Sequence, residues 1–203
     1  MTGNIRKRSM FAPLVLLLFL ATFLGGCGAK RQIVISPLET PARGDTSLSS
    51  KKVAYVMTEA DRYMQVTSEG GGGDKVSYFP YRDLEKAIRD ALRAVYADVF
   101  AIKASSDSNA IQENDISLVF SPKIYTASDS ESMFTWPPTQ FYIDLSCKVT
   151  DPMGKIVSRI KVAGRGAAEY SEFKEDFGLA GRRAASDLSE KLKKGIIADP
   201  LLH

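Results

Sequence analysis

The sequence predicts an α+β fold: a single domain in which two amphipathic helices pack on one face of an antiparallel β-sheet. Two long segments repeat their apolar residues at the 3.6-residue period of a helix. Several shorter segments instead alternate apolar and polar residues, as half-buried strands do. Most of these strands follow one another along the chain and can be joined by hairpins, which favours antiparallel pairing.

The N-terminus is typical of a secretory signal. Three basic residues at positions 6–8 precede an uncharged run at 10–24, and small residues follow it. A membrane-spanning helix needs about 20 apolar residues, whereas this run is shorter and contains Pro13. We therefore expect residues 1–26 to be removed as a signal peptide.

The sequence Leu24-Gly25-Gly26-Cys27 resembles a bacterial lipobox, in which cleavage precedes the cysteine and the thiol is acylated. The resemblance implies that Cys27 carries lipid, palmitate included, and anchors the protein to a membrane. Gly28 stands where the inner-membrane retention signal would have Asp, which implies the periplasmic face of the outer membrane. The alternative is an uncleaved anchor helix with a bystander cysteine.

Processing changes the charge of the chain. Residues 1–26 contain three basic residues and no acidic one, so 24 basic residues would face 24 acidic residues in the mature chain. A neutral protein has no electrostatic reason to bind nucleic acid, which we exclude as a partner. The remaining length suits one domain, which we place at 52–198, with 27–51 as the acylated cysteine and its tether. A short edge strand at 32–38 is an alternative within that tether.

Cysteine and histidine usage limits the chemistry. With Cys27 acylated, Cys147 is the only other cysteine, so no intramolecular disulfide is expected. The only histidine, His203, is the last residue, which leaves no His-based metal site or catalytic triad within the fold. We expect no metal, no cofactor and no catalytic residue.

The first half of the chain predicts strands around one clear helix. A strand is expected at 53–57, followed by a hairpin whose loop is the glycine run 70–73. A phosphate-binding loop is the alternative there, but Asp74-Lys75-Val76-Ser77 lacks the Gly-Lys-Ser/Thr sequence that opens a helix. The apolar residues Leu84, Ile88, Ala91, Leu92 and Val95 then predict a helix at 82–99. A strand at 98–104 and a turn-rich connection at 105–115 follow.

The second half predicts a hairpin and a second helix. We expect a strand at 115–126, interrupted or bent at Pro122, and one at 141–150 that buries Phe141, Ile143, Leu145, Cys147 and Val149. Asp151-Pro152-Met153-Gly154 has the composition of a type I turn, after which Ile156, Ile160 and Val162 should face the core. A helix at 171–194 should end at Gly195.

Several short motifs together resemble the uncharacterised YajG-type lipoproteins of Gram-negative bacteria. They are the lipobox, "ISP" at 35–37, "YRDLEKAI" at 81–88, the strand pair around "DPMGK" at 151–155, and a Gly/Ala-rich segment before the last helix. The "ESMFTWPPTQ" insertion and Cys147 depart from that pattern. The resemblance implies an outer-membrane lipoprotein that faces the periplasm, with no catalytic residue to carry over.

One segment is explained neither as core nor as a turn. The connection "SESMFTWPPTQ" holds the candidate partner-binding residues Met133, Phe134, Trp136, Pro137 and Pro138. Aromatic residues on a loop can mark an interface. The alternative is that Phe134 and Trp136 fold back over an open end of the core.

These features favour a non-catalytic binding, scaffold or envelope-assembly module with an envelope protein as partner. An accessory lipoprotein of a secretion or lipid-transport complex is one alternative, and an envelope hydrolase is another, although no nucleophile converges with a base. Because unpaired strand edges invite pairing, a homodimer through a sheet edge is a further hypothesis.

Overall fold

The computed structural model describes residues 30–43, 48–68, 75–130 and 139–202, and it has the predicted α+β class. Its strands are β1 Lys30–Gln32, β2 Ser49–Val56, β3 Val66–Ser68, β4 Lys75–Tyr78, β5 Tyr96–Ile102, β6 Leu118–Asp129, β7 Gln140–Thr150 and β8 Ile156–Ala167. Its helices are α1 Glu59–Tyr63, α2 Pro80–Arg93, α3 Ser108–Glu113, α4 Tyr170–Glu175 and α5 Leu179–Ile197, and a 3-10 turn follows at Pro200–Leu202.

The strands form two sheets. The main sheet has the order β5-β2-β6-β7-β8, and the small sheet has the order β1-β4-β3. Strands β6, β7 and β8 are antiparallel, as predicted, but β2 runs parallel to both β5 and β6. The sheet is therefore mixed, because helical connections return the chain to the same end of the sheet before β5 and before β6.

The two predicted helices, α2 and α5, pack on the same face of the main sheet. The core between them buries aromatic and aliphatic side chains from both layers: Tyr55, Phe120, Phe141, Ile143, Leu84, Ile88, Leu92, Leu188 and Leu192. On the opposite face, α3 covers only the β5 side, over a small cluster of Ala54, Ile102, Ile111, Ile116 and Val119. On that opposite face, β7, β8 and the part of β6 beyond Val119 have no helix over them among the described residues.

The helices differ from the prediction in three respects. Helix α2 ends at Arg93 rather than 99, because Tyr96 already belongs to β5, where its buried hydroxyl donates to Leu202 O at 2.8 Å. The last helix is divided at 176–178, where Gly178 N–H donates to the Asp176 carboxylate. Gly195 does not end α5, which continues to Ile197 because Ile196 is fully buried.

Pro122 does not interrupt its strand, so of the two predicted alternatives, an interruption or a bend, the interruption is wrong. It stays in continuous register with β7, opposite Cys147. Strand β2 pairs with β6 only at Leu118, Val119 and Phe120. Pro122 therefore lies where β6 has become an edge, and its missing N–H costs no ladder hydrogen bond there.

Ile156 is 46% exposed instead of facing the core. A register shift between Val149 and Thr150 explains the difference, because an extra residue on β8 reverses which side chains point inward. Ile160, beyond the shift, is buried as predicted.

The N-terminal strap, residues 33–43, lies across α2 and α5. Ile33 and Ile35 belong to the main core, and Ile35 N–H donates to the buried Asp83 carboxylate at 3.3 Å. Further along, Leu38 N–H donates to Ser186 Oγ at 2.9 Å, and Lys193 Nζ donates to Ala42 O at 3.0 Å. Pairing of β1 with β4 places the strand of this region at Lys30–Gln32, ahead of the segment 32–38 that the sequence suggested.

Candidate functional site

The uncovered face of β6, β7 and β8, here called the outer face, carries an unusual set of cations. Its side chains come from alternate residues of each strand, so their neighbours follow from the register. Lys148 lies directly opposite Arg159, and Ser146 lies between Lys123 and Lys161. All four basic side chains are exposed.

None of these four cations has a carboxylate within 4 Å among the described residues. Asp144 lies on the same face, two residues before Ser146, without forming an ion pair there. Like charges directly opposite one another on a sheet are destabilising, so Lys148 and Arg159 oppose folding slightly. The outer face therefore concentrates positive charge that the fold itself does not use.

The other end of the outer face is aromatic. The Arg165 guanidinium lies 5.8 Å from the centre of the Tyr142 ring, and Tyr125 is 68% exposed. A shallow depression of about 310 Å³ is lined by Gln140, Tyr142, Arg165, Gly166 and Ala167. Gln140 closely follows the predicted partner residues of the loop in sequence.

The edge of β8 is occupied by helix side chains. Three backbone groups bond to α5: Arg165 N–H to Asp187 at 2.9 Å, Ala163 O to Lys191 at 3.0 Å, and Ala167 O to Arg183 at 2.7 Å. Such coverage protects an edge from pairing with another chain. The opposite edge, β5, has β2 as its single partner strand in the described structure.

A partly buried polar cluster links β2, α1 and α2. Tyr55 Oη and Arg62 Nη2 both donate to Glu85 Oε1, at 3.0 and 2.8 Å. Burial, reinforced by the negative charge of Glu85, raises the pKa of Tyr55 to about 12. Tyr55 is therefore a neutral hydrogen-bond donor that ties these elements together, and it is a poor nucleophile.

Cys147 is buried in the core, as its alternation predicted. Burial raises the pKa of its thiol to about 12, so the reactive thiolate is scarce at neutral pH. Within the described ranges, no group of His, Cys, Asp and Glu side chains could hold a metal ion. No helix in those ranges is long and apolar enough to cross a bilayer.

The residues that the sequence singled out lie outside the described ranges. These are Cys27 and the loop residues Met133, Phe134, Trp136, Pro137 and Pro138, and the glycine run 70–73 lies outside as well. The basic outer face was not predicted. The sequence contained one indication of this face, because Lys148 lies on the polar side of β7 and alternates with buried residues. The cations on the neighbouring strands could not be predicted, since their positions depend on strand register.

No family model matches this chain, and no curated protein matches its sequence. Its backbone is similar to several solved bacterial proteins. A Xanthomonas campestris protein of family DUF330 is 12% identical with a TM-score of 0.48, covering 81% of this chain and 90% of its own. PelC from Paraburkholderia phytofirmans, solved as a dodecamer, is 14% identical with a TM-score of 0.44, over 75% of this chain and 94% of PelC.

A minor lipoprotein from Acinetobacter baumannii is 10% identical with a TM-score of 0.43, over 73% of this chain and 93% of its own. Structures similar to this chain thus include a bacterial lipoprotein. At these identities and scores the likeness concerns the backbone arrangement, and it transfers no activity, partner or assembly.

Proposed function

We propose that this chain is a lipid-anchored module on the periplasmic face of the outer membrane, which binds an envelope protein without catalysis. The observation that carries the binding role is the outer face, where four cations have no carboxylate within 4 Å in the part of the chain that the structure describes. The lipobox-like sequence ending at Cys27 supports the anchoring. It also supports kinship with the YajG-type lipoproteins.

The start of β1 sets the distance between the anchor and the domain. Lys30 is paired with Lys75 in the small sheet, only three residues after Cys27. Three residues span at most about 11 Å. With Cys27 acylated, the small sheet is held at the membrane surface, instead of on the long tether expected from residues 27–51.

The anchored end of the domain is also the end that carries the predicted partner loop. The Arg31 guanidinium lies 4.2 Å from the centre of the Phe177 ring, and Phe177 packs edge-to-face on Phe173 in α4. Helix α4 directly follows β8, whose last residue, Ala167, pairs with Gln140. We propose that Met133, Phe134, Trp136, Pro137 and Pro138, just before Gln140, contact the partner close to the membrane.

A homodimer through a sheet edge would use β5. Side chains of α5 already occupy the edge of β8, as described above, whereas the free side of β5 exposes Ala97, Asp98 and Ala101. This assembly remains a proposal beside the envelope partner.

Replacing Cys27 with serine tests the anchoring. We expect the variant to carry no acyl group, because the hydroxyl does not accept the lipid, and mass spectrometry should find acyl groups only on wild-type Cys27. Cys147→Ser is the matched control, since it removes the other thiol and should leave the protein in the membrane. If the wild-type protein carries no acyl group on Cys27 and keeps residues 1–26, the uncleaved anchor helix is correct.

Replacing Trp136 with alanine tests the partner loop. We expect the melting temperature to change by no more than a few degrees, whereas recovery of a crosslinked partner from intact envelopes should fall several-fold, because Trp often dominates interfaces. A large loss of stability with unchanged crosslinking would favour the alternative in which Trp136 covers the core. Stoichiometric recovery of a transmembrane complex would favour the accessory role in secretion or lipid transport.

A further inference from the structure

We propose that Lys123, Lys148, Arg159 and Lys161 on the outer face form the docking surface for an acidic protein partner. This inference rests on the proposed binding function and names the chemistry of its partner. The four cations are exposed and have no carboxylate within 4 Å among the described residues.

The sheet fixes the spacing of these charges. Neighbouring strands lie about 4.8 Å apart, and alternate residues along a strand lie about 6.8 Å apart. Lys148 and Arg159 form one row across β7 and β8, and Lys123 and Lys161 flank Ser146 in the next row. The result is a nearly flat patch about 10 Å wide, which suits an extended acidic surface better than a small anion.

The patch lies far along β7 from the end of the sheet that is near the anchor. Ser146 and Lys148 follow Gln140 by six and eight residues, which places their rows about 20 and 27 Å along β7. Gln140 lies at the end of the sheet near β1 and the anchor. The Debye length is about 8 Å at physiological ionic strength, so headgroup charges beside the anchor are screened over that length.

The small sheet also lies on the other side of the main sheet. Tyr78 of β4 packs against Phe141, a core residue of the inner face, with ring centres 5.2 Å apart. The outer face therefore points away from the side on which the chain enters the domain. Both the distance and the direction favour a partner in the periplasm over the lipid surface.

Apolar side chains at the rim favour a protein over a polyanion. Met153, in the turn beyond Lys148, is 92% exposed, and Ile156 is 46% exposed. Met and Arg are each enriched in protein interfaces relative to the rest of a protein surface. A protein with Asp and Glu around an apolar contact would complement both features.

The test measures binding of poly-L-glutamate to the acylated full-length protein in phosphatidylcholine vesicles. The Lys148→Glu/Arg159→Glu variant should lose affinity at least tenfold, and wild-type affinity should fall as salt is raised. Arg93→Glu/Lys194→Glu is the matched control, because it reverses two exposed cations on the helices and makes the same change in net charge. This control should bind within twofold of wild type.

Two further ligands test whether the outer face binds a lipid surface or a phosphate polymer instead of an acidic protein. Vesicles of phosphatidylglycerol and soluble polyphosphate are tested with the same variants. If Lys148→Glu/Arg159→Glu weakens binding to phosphatidylglycerol but not to poly-L-glutamate, the outer face meets lipid and the proposal fails. Equal losses in both double variants would also overturn it, since binding would then follow net charge. Membrane anchoring is scored separately through Cys27→Ser, so a failure of this docking surface is distinguishable from a failure of the lipoprotein assignment.

Discussion

Replacing Gly166 with alanine is expected to lower the free energy of unfolding by about 3 kcal/mol or more. A Cβ at this position would overlap Ala180 O and Ala184 N, both backbone atoms of α5. Gly164, on the same side of β8, would bring a Cβ against Ala184 O and within 2.7 Å of Leu188 Cβ. Backbone atoms of a packed helix cannot move aside as the end of a flexible side chain can, so α5 would have to shift away from the sheet.

Urea unfolding followed by circular dichroism measures this effect. Ala167→Val is the matched control, because it adds two methyl groups at the next, exposed residue of β8 and should change stability by about 0.5 kcal/mol or less. Gly164→Ala should resemble Gly166→Ala. An equally small effect in all three variants would mean that α5 does not approach β8 as closely as the structure has it.

This close contact also explains why one face of the sheet stays free. Gly164 and Gly166 meet the small residues Ala180 and Ala184, which lets α5 lie directly on β8 and send side chains to its edge. With α5 and α2 both on the inner side, and α3 over Ala54, Ile102 and Val119 alone, no described helix covers the outer face of β7, β8 and the rest of β6.

Local patterns in the sequence predicted the elements that bury a continuous stripe of side chains. Helices α2 and α5 and strand β7 are of this kind, since their periodicity is visible over ten or more residues. Helix α3 was missed because it has six residues and a single buried one, Ile111. The parallel pairing of β2 was missed because it depends on contacts between distant parts of the chain.

The candidate site shows the same limit. Alternation along β7 placed Lys148 on the polar side, but its meeting with Arg159 depends on the turn at 151–154 and the register shift beside it. The sequence therefore predicted that this side of β7 is exposed to solvent, but it did not predict the positive charge of the outer face. Its two functional signals, Cys27 and Trp136, come instead from motif and composition, and they lie outside the described residues.

Replacing Ile35 with alanine is expected to cost about 2–5 kcal/mol of unfolding free energy, although Ile35 lies in the segment assigned to the tether from sequence. The side chain is fully buried against α5, where its Cγ2 fills the space that a Cβ on Gly181 would need. Its N–H donates to Asp83, a carboxylate that is 5% exposed. Truncation of Ile35 would leave a cavity between the N-terminal strap and the two long helices.

Val34→Ala is the matched control, since Val34 is adjacent, β-branched and 51% exposed, and its truncation should change stability by about 0.5 kcal/mol or less. Urea unfolding and amide hydrogen exchange together show whether the strap belongs to the folded domain or acts as a tether. If Ile35→Ala destabilises β7 and α5 along with the strap, the folding unit begins near Lys30, and an acylated Cys27 can hold it no more than about 11 Å from the membrane. If only residues 33–43 exchange faster while the core keeps its stability, the strap detaches from the domain and acts as a tether. The docking surface can then lie farther from the membrane, because a longer segment connects it to Cys27.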